Sequence, residues 1–278
     1  MHPMVGFVMS TSPILIGLAG GSGSGKTHLA KQIQLMAGEE YVSVLSMDQY
    51  FKSDASGDPR SVNFDHPSHL DLDLMIEHIG ALRNGEPVRV PSYDFRTMRQ
   101  TREAWVIEPI TVVVVEGLFV LAEPIVGLLD FTCFLDVADD QRLLGRILRD
   151  SAERDSTIEH IVDRYQRFVR PSYSVFVAPT RQNADVVVDF TYRRALFTRL
   201  LVHIVQDYSR GYLDLGALSK ELRAETYSLG YRSDQSIMPA SVDIRRLGLA
   251  YPDAMLPTAA SRDPDGAMDL YISADPEA

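Results

Sequence analysis

The chain has 278 residues, and 27 lysines and arginines against 38 aspartates and glutamates leave a formal net charge of −11. Hydrophobic residues at 45% and charged residues at 23% exclude global disorder and fit either two domains or one large α/β domain with an appendage. The acidic balance argues against a duplex-DNA or RNA binder, which needs a basic face, but leaves room for a small anion held by a local basic cluster.

The first residues lack a basic n-region, so no secretory leader is expected. Cys133 is the only cysteine, which excludes an internal disulfide and a Cys-based zinc site and makes a reducing cytoplasm the simplest setting. Pro13–Ala19 is a short apolar run closed by glycines and predicts a buried strand; Lys26–Met36 reads as the helix after it. A second apolar run, Tyr41–Met47, ends at Asp48. Lys52–His69 is rich in Asp, Ser, Gly and Pro and predicts a loop. Leu70, Leu74, Met75, Ile79 and Leu82 give His69–Leu82 a helical period. Val88–Val90 and Trp105–Ile107 flank a polar stretch and are expected to pair as a hairpin. Thr111–Val115 is the most β-prone run and ends at Glu116. The apolar stretch Ile110–Phe131 is broken by Glu116, Glu123, Pro124 and Asp130, so no membrane span is expected there. Phe131–Val137 predicts a strand with Cys133 as a core thiol. Asp139–Asp150 and Thr157–Arg170 read as helices, the latter interrupted by Pro171. A strand over Asp185–Phe190 and a helix over Ala195–Tyr208 follow. Strands alternating with helices imply a parallel sheet covered on both faces. The pattern weakens beyond Gly211, and Tyr251–Ala278 reads as a loose acidic tail. The expected organisation is an N-terminal segment 1–12, a main domain 13–210 and a C-terminal extension 211–278, partly disordered or an assembly arm.

The strongest chemical signal is Gly20, Gly21, Ser22, Gly23, Ser24, Gly25, Lys26 and Thr27. It matches GxxxxGK[ST] at every fixed position and lies between a predicted strand and helix, where a flexible linker would not sit. Glycines let the backbone wrap a triphosphate, and their amides and the helix N-terminus hold its charge. Lys26 can reach the β- and γ-phosphates, and the Thr27 hydroxyl can ligate Mg²⁺. The motif implies nucleotide binding without fixing a reaction.

Asp48 follows the second strand, at the sheet end where ligands gather, and is placed to take a proton from an attacking hydroxyl. An Asp at a loop entry can also cap backbone. Glu116 ends the valine strand at the position of a Mg²⁺-holding acid. Arg142, Arg146 and Arg149 share one helix face, with Arg154 in the next loop; they suit phosphate contact, or alternatively a solvated face pairing with Asp139, Asp140, Asp150 and Glu153. His66 and His69 with Asp65 form only a weak metal pattern, because Pro67 intervenes.

Taken in order, Gly17–Thr27, Ser46-Met47-Asp48, Asn63-Phe64-Asp65-His66-Pro67, Pro91–Phe95, Val115–Gly117, Arg146–Asp150, and Pro179-Thr180 with Ala184–Val186 resemble the uridine–cytidine kinase family over about residues 13–210. The resemblance implies a P-loop NTPase-type fold with a small β-hairpin over the nucleoside and an Arg-bearing lid. It implies transfer of the ATP γ-phosphate to the 5′-hydroxyl of a pyrimidine nucleoside. On motif position, Lys26 would bind phosphate, Thr27 and Glu116 would serve Mg²⁺, and Asp48 would be the general base. Asp65 and Arg146 would hold ribose hydroxyls, Tyr93 and Phe95 would pack on the base, and Arg149 and Arg154 would clamp phosphates. The chain departs from the family where the base is read: Met98 replaces a His, Arg164 replaces a Gln, and Ser156 replaces the second lid Arg. The acceptor is therefore expected to be a nucleoside or a related ribosyl substrate. Two other readings stay open: a kinase of another small alcohol, such as a sugar phosphate or modified nucleoside, and a non-catalytic nucleotide-binding regulatory protein. The resemblance further implies a homo-oligomer.

Overall fold

A computed structural model of the chain describes residues 12–53, 62–95, 97, 99–154 and 156–228. Five parallel strands form the main sheet in the order β2-β5-β1-β6-β7: β1 (Ile14–Gly20), β2 (Val42–Ser46), β5 (Val112–Glu116), β6 (Phe131–Asp136) and β7 (Val186–Asp189). The two-residue side-chain period explains why these strands read as near-continuous apolar runs. Val113 and Val115 face one core with Leu15, Leu45, Met75, Ile79 and Phe176. Val112 and Val114 face the other with Ile16, Leu18, Cys133, Leu29 and Ile33. Burial pushes the Cys133 thiol far up, as befits a packing residue.

Helix α1 (Lys26–Ala37) follows β1 after the short glycine-rich loop, and α2 (Leu72–Arg83) starts where the Asp71 carboxylate accepts from the Leu74 amide. The hairpin is formed by β3 (Val88–Asp94) and β4 (Arg99–Ile107), paired antiparallel from Val88↔Ile107 to Asp94↔Arg99. Its register shifts at Pro91/Ser92, where proline has no amide to give the ladder. Helix α3 (Asp139–Glu153) runs three residues beyond the expected Asp150.

Two expectations are corrected. Pro171 does not interrupt the next helix: α4 (Ile158–Arg164), a widened turn over Tyr165–Val169, the short α5 (Arg170–Ser172) and a second widened turn carry it to Val177. Proline clashes with the carbonyl one ordinary turn back. Here the Arg170 amide bonds the Tyr165 carbonyl five residues back, which opens the turn ahead of the ring. Helix α6 (Phe190–Ser209) begins five residues before the expected Ala195, because Phe190 is buried against Phe197 and extends the apolar face. A further helix, α7 (Leu215–Ser228), lies in the weakly patterned region; Leu215 is buried in the second core, and Arg223 makes a bidentate contact with Asp185 at 2.5 and 2.6 Å. No helix among the described residues is long and apolar enough to cross a membrane.

Candidate active site

The parallel topology brings the carboxyl ends of β1, β2 and β5 together, and with them Gly20, Ser46 and Glu116. The loop after β1 turns through Gly23 in the left-handed region (φ +83°), and a Cβ there would strike the Arg142 carbonyl. Gly25 caps α1, Ser24 is buried, and its amide donates to the Gly21 carbonyl at 3.1 Å. Lys26 Nζ donates to the carbonyls of Gly20 (2.9 Å) and Gly21 (3.0 Å). Burial pulls the Lys26 pKa down, while Glu116 and Asp48 pull against that.

Glu116 is buried at 1% exposure. Its Oε1 accepts from Thr27 Oγ1 at 3.0 Å and from Ser46 Oγ at 2.6 Å. Burial raises its pKa, and the neighbouring charge of Asp48 adds to the rise. The donors here are all oxygens, as a hard cation such as Mg²⁺ requires. Mg²⁺ commonly takes one or two carboxylates and leaves its other positions to phosphate and water. Thr27 and Glu116 therefore fit that ion, although no cluster of three His, Cys, Asp or Glu exists among the described residues.

Asp48 sits on a one-turn 3₁₀ segment, Met47–Tyr50, clamped on both sides. Met47 is buried against Gly117, where a Cβ would collide with it. Tyr50 is fully buried, and its hydroxyl shares a 2.8 Å hydrogen bond with His78 Nδ1. With its neighbours so anchored, Asp48 is turned into a cavity of about 950 Å³. The same cavity is lined by Lys26, Thr27, Glu116, Asp65, Arg146, Arg149, Arg154 and Arg164, and by the rings of Phe51, Phe64 and Phe95. Asp65 is held by its amide on Asn63 Oδ1 (3.1 Å), and Asn63 Nδ2 donates to Ser172 Oγ (3.1 Å), which ties the loop to α5. Tyr93 packs behind the wall, with ring centroids 5.4 Å from Phe51 and 5.0 Å from Phe95. Met98 lies outside the described residues.

The arginines are not a solvated face. Arg142 is fully buried: Nε donates to the Val137 carbonyl, Nη2 pairs with Asp139, and the guanidinium lies 3.7 Å from the Tyr173 ring centroid. Arg146 Nη1 donates to Ser22 Oγ of the glycine-rich loop at 2.6 Å. Arg154 stacks 4.0 Å over Phe95 at the hairpin tip; burial and the charge of Arg149 draw it down to about 10, so it stays charged at neutral pH. Arg164 Nη2 donates to the Val62 carbonyl at 2.7 Å, 5.5 Å from the Phe64 ring. The sequence offered Asp150 as one of four acidic partners for these arginines, and it is the one that meets Arg146, Arg149 and Arg154; it did not mark Ser46 as a partner of Glu116, or Phe51 and Phe64 as cavity walls. Ser46 and Phe64 carried a signal, lying in the motifs that hold Asp48 and Asp65, whereas Phe51 carried none. His66 shares a 2.7 Å hydrogen bond with Ser68 and packs edge-on against Phe176.

Residues 15–196 match the phosphoribulokinase / uridine kinase family. Among curated relatives, a uridine kinase of Clostridium perfringens is 38% identical over 180 residues, covering 63% of this chain and 86% of the relative. A uridine kinase of Streptococcus thermophilus is 40% identical over 184 residues, covering 65% of this chain and 87% of the relative. A solved structure from Silicibacter sp. TM1040, named as a candidate fructose transport system kinase, superposes with a TM-score of 0.54 at 20% identity. It covers 65% of this chain and 92% of that one, and it bears on the fold alone. A glycine-rich phosphate loop, a clamped aspartate beyond β2 and an arginine-bearing α3, together with these relatives, lead to one conclusion: the chain is a kinase that belongs to the phosphoribulokinase / uridine kinase family.

Proposed function

We propose that this kinase transfers the γ-phosphate of ATP to the 5′-hydroxyl of a nucleoside, as the names of its curated relatives suggest. The observation that carries the reading is a single cavity. Lys26, Glu116 and Asp48 line it together with Asp65 and the Phe51, Phe64 and Phe95 rings. The charged groups suit a triphosphate, and the aromatic rings suit a flat base above a ribose.

The chemistry is mostly positioning and charge neutralisation. The glycine-rich loop and Lys26 hold the phosphates, and Arg149 and Arg154 turn onto the transferring group. Asp65 and Arg146 orient the ribose. Asp48 takes the proton of the 5′-hydroxyl as its oxygen forms a bond to the γ-phosphorus and the bond to the departing ADP oxygen breaks. Mg²⁺, when bound, supplies positive charge to the phosphate oxygens, and Thr27 with Glu116 is the pair that would hold it. The protein works in the cytoplasm as a homo-oligomer.

A donor-only guanidinium at Arg164, within the cavity wall, favours an acceptor base that presents carbonyl oxygens rather than an amino group. The test is a coupled ADP-release assay with ATP and Mg²⁺ over a panel of nucleosides, sugars and sugar phosphates. Fastest turnover with a pyrimidine nucleoside supports the reading. Fastest turnover with a sugar or sugar phosphate replaces it with another alcohol kinase, and tight ATP binding with no acceptor turned over replaces it with a nucleotide-binding regulator.

A further inference from the structure

On the inner face of α3, one carboxylate serves three cations. Asp150 is 3% exposed. Its Oδ1 accepts from Arg149 Nε at 2.8 Å and lies 3.6 Å from Arg154 Nε, while its Oδ2 lies 3.2 Å from Arg146 Nη2. Asp150 itself lines the cavity. Three guanidiniums within reach of one anion exceed what a single salt bridge needs, and two of them are the groups assigned above to the triphosphate.

We propose that Asp150 is a positioning residue that competes with the nucleotide's phosphates for Arg149 and Arg154, so that it holds the lid arginines in place and then speeds the departure of ADP. The inference rests on the reading that these two arginines meet the triphosphate. Arg149 is tethered by a short hydrogen bond and Arg154 by a longer ion pair, so Arg154 is the one that leaves Asp150 more readily. It exchanges its stack on Phe95 for phosphate in the same movement. Arg146 keeps Asp150 and stays linked to Ser22 of the phosphate loop, so the carboxylate does not become an unpaired buried charge when the other two depart. When the γ-phosphate has gone to the acceptor, Asp150 recaptures the arginines and weakens the hold on ADP.

A purely structural carboxylate and a competing one predict opposite signs. If Asp150 only braces the arginines, its removal loosens them and ADP binds more weakly. If it competes, Asp150→Asn keeps the shape, frees the guanidiniums and removes a negative charge beside the phosphates, so ADP binds more tightly. The expected change is about three- to tenfold in the ADP Kd, the size of a charge-assisted contact regained, with kcat falling as product release slows. The experiment is calorimetric titration of ADP into the full chain, wild type and Asp150→Asn, with kcat and KM from the coupled assay and a thermal melt to show both are folded. Tighter ADP with lower kcat supports the inference, and unchanged or weaker ADP binding overturns it. Wild-type protein that binds no ADP overturns the underlying nucleotide reading instead. Should Asp150→Asn fail to fold, a crystal structure of the wild type with a non-hydrolysable ATP analogue decides. Arg154 or Arg149 on the phosphates with Asp150 left to Arg146 supports the competition, and both arginines still on Asp150 refute it.

Discussion

Arg164 is the side chain on which the proposed base preference turns. A guanidinium has five donors and no acceptor, so it satisfies a carbonyl edge and leaves an exocyclic amino group unpaired. Its charge also leans on Asp65: burial lowers its pKa, and Asp65 pulls it back. Replacing Arg164 with Gln restores a group that both donates and accepts. The expected result is a fall of about tenfold in the kcat/KM ratio of uridine over cytidine, the size of one buried polar mismatch, read from steady-state kinetics on both nucleosides. An unchanged ratio would remove Arg164 from the base pocket. Glu116 offers a second residue-scale test. With Ser46 and Thr27 both donating to the same Oε1, Glu116→Gln keeps an acceptor but loses the charge. The Mg²⁺ concentration for half-maximal rate is expected to rise about tenfold or more, and an unshifted Mg²⁺ dependence would exclude Glu116 from the metal's neighbourhood.

Two elements set the site's shape. The 3₁₀ turn carrying Asp48 is aimed by packing, since Met47 fills the space that a Cβ on Gly117 would need. Gly117→Ala overpacks that contact, at a cost of about 1–3 kcal/mol, and shifts the turn. The expected outcome is a lowered melting temperature and a kcat loss much larger than any loss of ATP affinity; equal losses in both would mean that the turn does not aim a catalytic group. Helix α3 supplies the pH-sensitive element. Burial alone would raise the Asp150 pKa, but Arg146, Arg149 and Arg154 outweigh it and hold the carboxyl below the usual range. A carboxyl with a depressed folded value contributes stability above its unfolded value of about 3.9, and that contribution is lost as pH falls through the folded value. The melting-temperature gap between wild type and Asp150→Asn is therefore expected to be wide at neutral pH and to close in strong acid. A gap independent of pH would show that the arginine cluster does not depend on that charge.

The central strands β1, β5 and β6 were legible in the sequence because they are buried on both faces, so their apolar runs marked them. The phosphate loop and Asp48 were legible because motif and strand end coincide. The helix through Pro171 was not, since the widened turn that accommodates proline has no residue signature of its own. Asp150 was legible only as one of four candidate acidic partners, because spacing shows which arginines share a helix face but not which carboxylate is buried among them.

For the whole molecule, a chain of net charge −11 concentrates arginines on the walls of one cavity. A polyphosphate is attracted there by local charge against the overall field. Beyond α6, the chain still contributes to the fold: Leu215 of α7 is 1% exposed in the second core, whereas the Arg223–Asp185 pair lies nearer solvent. Leu215→Ala is expected to cost about 2–4 kcal/mol in denaturant melts and Arg223→Ala no more than about 1 kcal/mol, because Thr132 still donates to Asp185. Equal costs would mean that α7 is held by its ion pair rather than by its apolar contact. The central claim is that Asp48 deprotonates the acceptor hydroxyl beside a triphosphate held by the glycine-rich loop. It is tested most directly by comparing Asp48→Asn with wild type for single-turnover phosphoryl transfer and for ATP affinity in parallel. ATP affinity is expected to stay within a few-fold of wild type while the transfer rate falls by about 10²–10⁴; near-wild-type transfer by the variant would contradict that role for Asp48.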